Sequence, residues 1–146
     1  MPLDPDSGVI TWQVHLNAGP NVVYQTLSTN EGRASFWAES TTEYEGTIEF
    51  CFPNGMRCRG RIIERVPERR FAVEYFGSRV TFTLEPDGAG GTDLTLVDHG
   101  SESDDRHETL GGWVSVLLAL KATVDFGIDL RNHDKARTWD QGYVDN

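Results

Sequence analysis

The chain has 146 residues, the size of one domain built around a single hydrophobic core. Its 23 Asp and Glu residues outnumber 13 Lys and Arg, and a net charge of −10 makes nucleic acid and membrane surfaces unexpected partners because both are anionic. The sequence has no signal-peptide pattern and no apolar stretch near the ~20 residues of a membrane span, so we expect a soluble, cytoplasmic protein. Its cysteines are too few for a disulfide framework, and we expect them to be free thiols.

The first elements are a strand and two short helices. Residues 9–16, VITWQVHL, alternate strictly between apolar and polar side chains, which predicts a half-buried strand. Pro20 then opens a stretch with apolar residues at helical spacing, and residues 30–37, NEGRASFW, predict a second short helix or turn. From residue 41 to residue 98, apolar segments separated by turn signals predict an antiparallel meander with one solvent-exposed face.

The first turn of this meander, PNG, decides which side chains face the core. A two-residue hairpin would place arginines on the apolar face. A three-residue loop with a glycine bulge pairs Phe52 with Cys58 and Phe50 with Gly60, which keeps that face continuous. The same register sends the two cysteines to opposite faces, so we predict no disulfide between Cys51 and Cys58.

Two carboxylates fall on the inward face of the meander. If side chains alternate without a break between the two faces of each strand, Asp98 lies on the same face as Leu96 at the end of the last strand. Glu64 then faces inward in an earlier strand. A buried carboxylate is costly unless it is paired or hydrated. Both are therefore candidate ligand contacts, with fraying of the strand end into solvent as the alternative for Asp98.

A long helix follows the sheet. Apolar residues at helical spacing predict a helix from about residue 104 to residue 126, ~35 Å long, which would cross a six- or seven-stranded sheet. Sheet and helix must bury their apolar faces against each other. We therefore predict a single domain over residues 1–130, followed by a polar C-terminal tail at residues 131–146.

The order of these elements resembles the helix-grip fold of the START and birch-pollen-allergen superfamily, also called SRPBCC. The segments FW at 36–37, TDLTLVDHG at 92–100 and GGWVSVLLAL at 111–120 are similar to the activator of heat-shock protein 90 ATPase-like family, in its stand-alone bacterial form. The resemblance covers residues 9 to about 128. It implies an α+β fold in which an antiparallel sheet of six to seven strands wraps around a long C-terminal helix, with two short helices after strand 1.

The resemblance also implies a cavity between the long helix and the concave sheet, which in that superfamily commonly takes an apolar small molecule. For each aromatic candidate, ordinary core packing is the alternative interpretation. No catalytic residue, metal ligand or cofactor is predicted. The candidate cavity residues are Trp37, Phe50, Gly60, Glu64, Tyr75, Phe82, Asp98, Trp113 and Leu117.

The stretch DHGSESDDRHETLGGW, residues 98–113, concentrates ionisable groups ahead of the helix. His99, Asp104 and His107 lack a recognised metal-ligand spacing. Ser101 or Ser103 beside a histidine lacks the surroundings of a catalytic nucleophile. A helix entrance explains the stretch best, with one of the two serines as its cap and the carboxylates favouring its positive end.

Three functional hypotheses follow. The leading one is binding of a small, largely apolar ligand between the helix and the sheet, with one or two polar groups orienting it. The second is a small enzyme of the cyclase or hydrolase type. This hypothesis rests on the fold alone and is less favoured. The third is a protein-interaction module resembling the chaperone activator, although the chain has no room for the additional N-terminal domain of the eukaryotic co-chaperones.

Overall fold

The computed structural model describes residues 1–101 and 105–146. Its strands and helices follow the order predicted from the sequence. They are β1 (Ile10–Leu16), α1 (Pro20–Ser28), α2 (Asn30–Ala34), β2 (Ser40–Tyr44), β3 (Thr47–Cys51), β4 (Arg57–Val66), β5 (Arg70–Tyr75), β6 (Ser78–Pro86), β7 (Thr92–Asp98) and α3 (Arg106–Phe126).

The strands form one antiparallel sheet with the order β1-β7-β6-β5-β4-β3-β2. The meander from β2 to β7 pairs each strand with the next, and β1 closes the sheet by pairing with β7, where Ile10 lies opposite Asp98. The α+β fold class, the long C-terminal helix and the two short helices after strand 1 are confirmed.

Helix α3 lies against the inward face of the sheet and supplies one wall of the core. Its 21 residues make it ~32 Å long, and Trp113, Leu117 and Leu120 on one side are buried. Asp105 begins the helix, and Gly127 ends it in the left-handed conformation that glycine adopts without steric cost. Contrary to the sequence expectation, α3 reaches the length and hydropathy of a membrane span, but it packs as the core helix of this domain.

The register across the first turn of the meander differs from the predicted one. Phe50 lies opposite Cys58, and Ile48 lies opposite Gly60, because the loop at residues 52–56 is longer than three residues. The shift is two residues, so every side chain keeps its predicted face. Both cysteines are free, with Cys58 buried and Cys51 on the other face.

The prediction that Glu64 faces inward is wrong. A β-bulge between Ile62 and Glu64 shifts the register of β4 and places Glu64 opposite Ala72, on the outer face. There the Glu64 carboxylate pairs with Arg70 at 3.1 Å. The same bulge turns Arg65 inward, where it stands over the ring of Phe71.

Candidate functional site

A partly enclosed cavity of about 550 Å³ lies beside the N-terminal half of α3. One side is α3 itself, and the other is formed by the segment after α2, the β3–β4 loop and the β5–β6 turn. Most of its wall is aromatic. The aromatic residues in this wall are Trp37, Phe52, Tyr75, Phe76, Trp113 and Trp139.

Local structure fixes the position of these rings. Trp37 follows α2 and is held by its backbone N–H, which donates to the Arg33 carbonyl at 2.8 Å. Phe76 and Gly77 both have positive φ and form the two-residue turn between β5 and β6, which brings Phe76 to the cavity mouth. Ring centroids lie 5.2 Å apart for Trp37 and Tyr75 and 5.4 Å apart for Tyr75 and Trp113.

Asp98 is the buried charge in the cavity wall, with 2% of its surface exposed. Its Oδ1 accepts from the Gly100 N–H at 2.8 Å and from the Ser78 hydroxyl, and its Oδ2 accepts from the Trp113 Nε1–H at 2.7 Å. The Arg106 guanidinium lies 3.4 Å from Oδ1 and offsets the charge. The carboxylate is therefore paired, and it fixes the orientation of the Trp113 indole.

Two other polar atoms in the wall have no partner among the described residues. These are Nε1 of Trp37 and Oγ of Ser101, both buried. Leaving a buried donor without an acceptor costs about 1–3 kcal/mol. Burial raises the pKa of the Tyr75 hydroxyl, and a hydrogen-bonding contact with the Trp37 indole partly offsets this rise. The Trp37 N–H is therefore close to the Tyr75 hydroxyl, although it forms no full hydrogen bond within the described residues. The cavity thus combines aromatic walls with a neutral phenol.

The C-terminal tail forms one side of the cavity. Trp139 Nε1 donates to the Glu108 carboxylate at 2.9 Å, and its ring lies beside Gly112 of α3. Asn54 Nδ2, in the β3–β4 loop, donates to the Asp140 carboxylate at 2.9 Å. These contacts join the tail to both walls.

Arg131 anchors the start of the tail. Its guanidinium donates to the carbonyl oxygens of Ala34 at 2.7 Å and Ala38 at 2.8 Å, on either side of Trp37 in the sequence. The tail is therefore attached both near the segment that positions Trp37 and at the mouth of the cavity.

The nine predicted cavity residues divide into three groups. Trp37, Tyr75, Asp98 and Trp113 lie in the cavity wall. Three others are buried in the core and do not reach the cavity, and these are Phe50, Phe82 and Leu117.

Gly60 and Glu64 lie away from the cavity for different reasons. A Cβ at Gly60 would stand 1.6 Å from the Glu74 carbonyl oxygen, so the glycine permits close backbone approach in the sheet. Glu64 lies on the outer face after the bulge. The sequence reasoning missed Phe52, Phe76 and Trp139, and only Trp139, an indole in a polar tail, carries a recognisable docking signal.

The helix entrance also differs in detail from the prediction. Asp105 caps α3 by accepting from the backbone N–H groups of His107 at 3.0 Å and Glu108 at 3.2 Å, and the helix begins at Arg106. Ser101 lies in the cavity wall instead. Ser103 and Asp104 lie outside the described residues. Within residues 1–101 and 105–146, no three His, Cys, Asp or Glu side chains converge to hold a metal ion.

A long C-terminal helix gripped by an antiparallel sheet, with a cavity between them, defines the helix-grip fold of the SRPBCC, or START-like, superfamily. A family model described as Activator of Hsp90 ATPase homolog 1-like protein matches residues 17–125. The match spans more than half of the chain, so the protein belongs to this family, as the resemblance predicted. The tail at residues 131–146 lies outside the matched region.

Solved structures show the same fold. The Aha1 dimer from Colwellia psychrerythraea is 22% identical, with a TM-score of 0.72, and the match covers 82% of this chain and 97% of that one. Protein SSP2350 from Staphylococcus saprophyticus is 22% identical, with a TM-score of 0.72 and coverage of 84% and 96%. Protein CV1439 from Chromobacterium violaceum is 25% identical, with a TM-score of 0.66 and coverage of 80% and 96%. A comparison with curated protein sequences found no match.

Proposed function

We propose that this protein binds a small, largely apolar ligand in the cavity between the N-terminal half of α3, the β3–β4 loop, the β5–β6 turn and the tail. The observation that carries the proposal is the aromatic wall of this cavity, whose volume is about 550 Å³. Sites for small molecules typically have this size and this mixture of apolar walls with a few polar groups.

Apolar burial favours occupancy of this cavity. A ligand that buries apolar surface against the rings gains about 25 cal/mol per Å² removed from water. The preferred ligand therefore has a largely apolar body. Asp98 acts as a positioning residue, because its bond to Trp113 fixes that indole in the wall.

Two adjacent glycines in α3 provide the test. Gly112 lines the cavity, where an added Cβ would be 3.8 Å from the Trp139 ring, whereas Gly111 is exposed and a Cβ there would meet nothing within 4 Å. Replacing either glycine with leucine favours the helix by up to about 1 kcal/mol. Only the change at Gly112 puts a side chain into the cavity.

Isothermal titration calorimetry with 2-acetylnaphthalene, an apolar ketone, would compare the wild type with these two variants. We expect Gly112→Leu to lower the affinity by at least about tenfold, since the leucine occupies the volume that the ring needs. Gly111→Leu should bind like the wild type. An equal loss in both variants, or no binding to the wild type, would count against this cavity as the binding site.

A further inference from the structure

The charged groups in the cavity wall all have the same sign. Among the described residues that line it, Asp98, Asp105, Glu108 and Asp140 carry carboxylates, and none is Lys, Arg or His. The Asp98 charge is offset by Arg106. Asp105 caps α3 and is partly balanced by the positive end of the helix dipole. Glu108 lies in the first turn of α3 and shares part of this balance. Glu108 and Asp140 are exposed carboxylates at the mouth.

Neutral donors hold these two carboxylates in place. Glu108 accepts from the Trp139 indole and Asp140 from the Asn54 amide, so each is oriented without being neutralised. Neither forms an ion pair with another residue in the described part of the chain. A charge that is oriented but not neutralised can interact with an oppositely charged ligand at the same mouth.

The aromatic walls independently favour a cation. The face of an aromatic ring carries partial negative charge and attracts ammonium groups, most strongly when the ring is tryptophan. The wall contains three indoles, from Trp37, Trp113 and Trp139. A positive charge beside these rings would therefore be attracted by them as well as by the mouth carboxylates.

We infer that the ligand is an organic cation, an amine or quaternary ammonium compound with an apolar body. The body lies against the packed rings of Trp37, Tyr75 and Trp113. The positive charge lies at the mouth beside Glu108, Asp140 and the Trp139 ring. This inference rests on the proposed function and specifies its ligand class. The net charge of −10 also favours the approach of a cation and disfavours that of an anion.

Three probes with one apolar body and different charges test the inference by calorimetry. They are 2-(2-naphthyl)ethyl-trimethylammonium, 2-(2-naphthyl)ethanol and 2-naphthylacetate. We expect the cation to bind about tenfold more tightly than the alcohol, and the anion to bind most weakly. The advantage of the cation should shrink at high salt, because the mouth carboxylates are exposed and screened.

A charge-matched pair of double variants locates the effect. Glu108→Gln with Asp140→Asn removes two charges at the mouth but keeps the acceptors for Trp139 and Asn54. Glu85→Gln with Asp93→Asn removes two exposed charges on β6 and β7 and serves as the control. We expect the first pair to lower cation affinity by about fivefold to tenfold and the second to leave it unchanged. Affinity for the alcohol should be the same in both.

The outcomes separate the two proposals. If the alcohol binds as tightly as the cation, or the anion binds best, the ligand is not a cation although the cavity still binds. If the control pair weakens the cation as much as the mouth pair does, the overall charge is responsible and the assigned site is wrong. If none of the three probes binds, the proposed function fails and this inference fails with it.

Discussion

Two buried charged side chains, Arg33 and Asp98, have different surroundings. Arg33 in α2 has 0% of its surface exposed, and its guanidinium donates to the Leu27 carbonyl at 3.2 Å, to Thr41 Oγ1 at 3.2 Å and to Asn30 Oδ1 at 2.7 Å. Burial lowers its pKa to about 10, with Glu43 opposing the shift, so it stays protonated at neutral pH. Around Arg33 the protein supplies the acceptors itself.

Asp98 is equally well paired, but two neighbouring groups in the cavity wall are not. Its partners Ser78, Gly100 and Trp113 are all satisfied by it, while Trp37 Nε1 and Ser101 Oγ have no acceptor or donor within the described ranges. Folding alone explains the Arg33 cluster, because each group there stabilises another. The two atoms in the cavity wall have no such partner among the described residues, and Trp37 has only the Tyr75 hydroxyl close to it.

The largest expected effect tests the Arg33 region. Arg33→Met should lower the free energy of unfolding by about 3–5 kcal/mol, because it leaves the acceptors on Leu27, Thr41 and Asn30 without their donor. Urea unfolding followed by circular dichroism measures it. Arg33→Lys keeps the charge but loses the planar fork, so its loss should be intermediate.

Ligand affinity provides the contrast for these variants. Below their unfolding transition, both should bind 2-acetylnaphthalene like the wild type, since Arg33 does not line the cavity. A stability loss under about 1 kcal/mol for Arg33→Met would show that the Arg33 cluster is not structural.

A second test compares two indoles in the same wall. Trp113→Phe removes the N–H that donates to Asp98, whereas Trp37→Phe removes an N–H that forms no full hydrogen bond within the described residues. Both lose similar apolar surface, so the difference between them isolates the hydrogen bond to a charged group, worth about 1.5–3 kcal/mol. We expect Trp113→Phe to be the less stable variant by that amount in urea unfolding.

Ligand affinity of Trp37→Phe provides a further measurement on the same pair of variants. Trp37→Phe should lose affinity for 2-acetylnaphthalene, because the smaller ring removes aromatic surface from the cavity wall. If the two variants had equal stabilities, the two indole N–H groups would be energetically alike, and the distinction between satisfied and unsatisfied groups would fail.

Much of the fold was predictable because alternation and helical spacing are local properties. The alternation of side chains along the strand correctly predicted that Asp98 lies on the inward face of β7, with Leu96. The same rule gave the wrong face for Glu64, because a bulge adds one residue to β4 and the pattern of apolar and polar residues does not reveal it. The burial of Arg33 was equally hidden, since its acceptors come from α1, α2 and β2 and meet only in the folded protein.

The cavity was harder to predict than the sheet because loops and the tail build much of it. Phe52 and Phe76 belong to a loop and a turn, where no periodicity indicates direction. Asp105 caps α3 although two serines stood nearby, and the choice depends on where the chain leaves β7. Trp139 reaches the cavity from a tail that Arg131, His133 and its own bond to Glu108 hold against the domain.

The smallest expected effect concerns how that tail is held. The His133 ring lies between two carboxylates, with Nε2 at 2.7 Å from Asp129 and Nδ1 at 2.6 Å from Glu39. Hydrogen bonds to Asp129 and then to Glu39 raise the pKa of His133 above its ordinary value. Asp129 also pairs with Arg131, which is charged at every pH considered.

The sign of the pH effect follows from that shift. Because the folded pKa of His133 is raised, its contribution is fully present below about pH 6.5 and is lost as pH rises through the raised pKa. The ring is partly exposed, so solvent screening limits the contribution to under about 1 kcal/mol. The indole N–H signal of Trp139 in NMR spectra, recorded from about pH 6 to pH 9, should report weaker tail docking at the alkaline end. His133→Gln should remove this dependence. A wild-type signal that stays constant over the range would mean that the charge of His133 does not help to hold the tail beside the cavity.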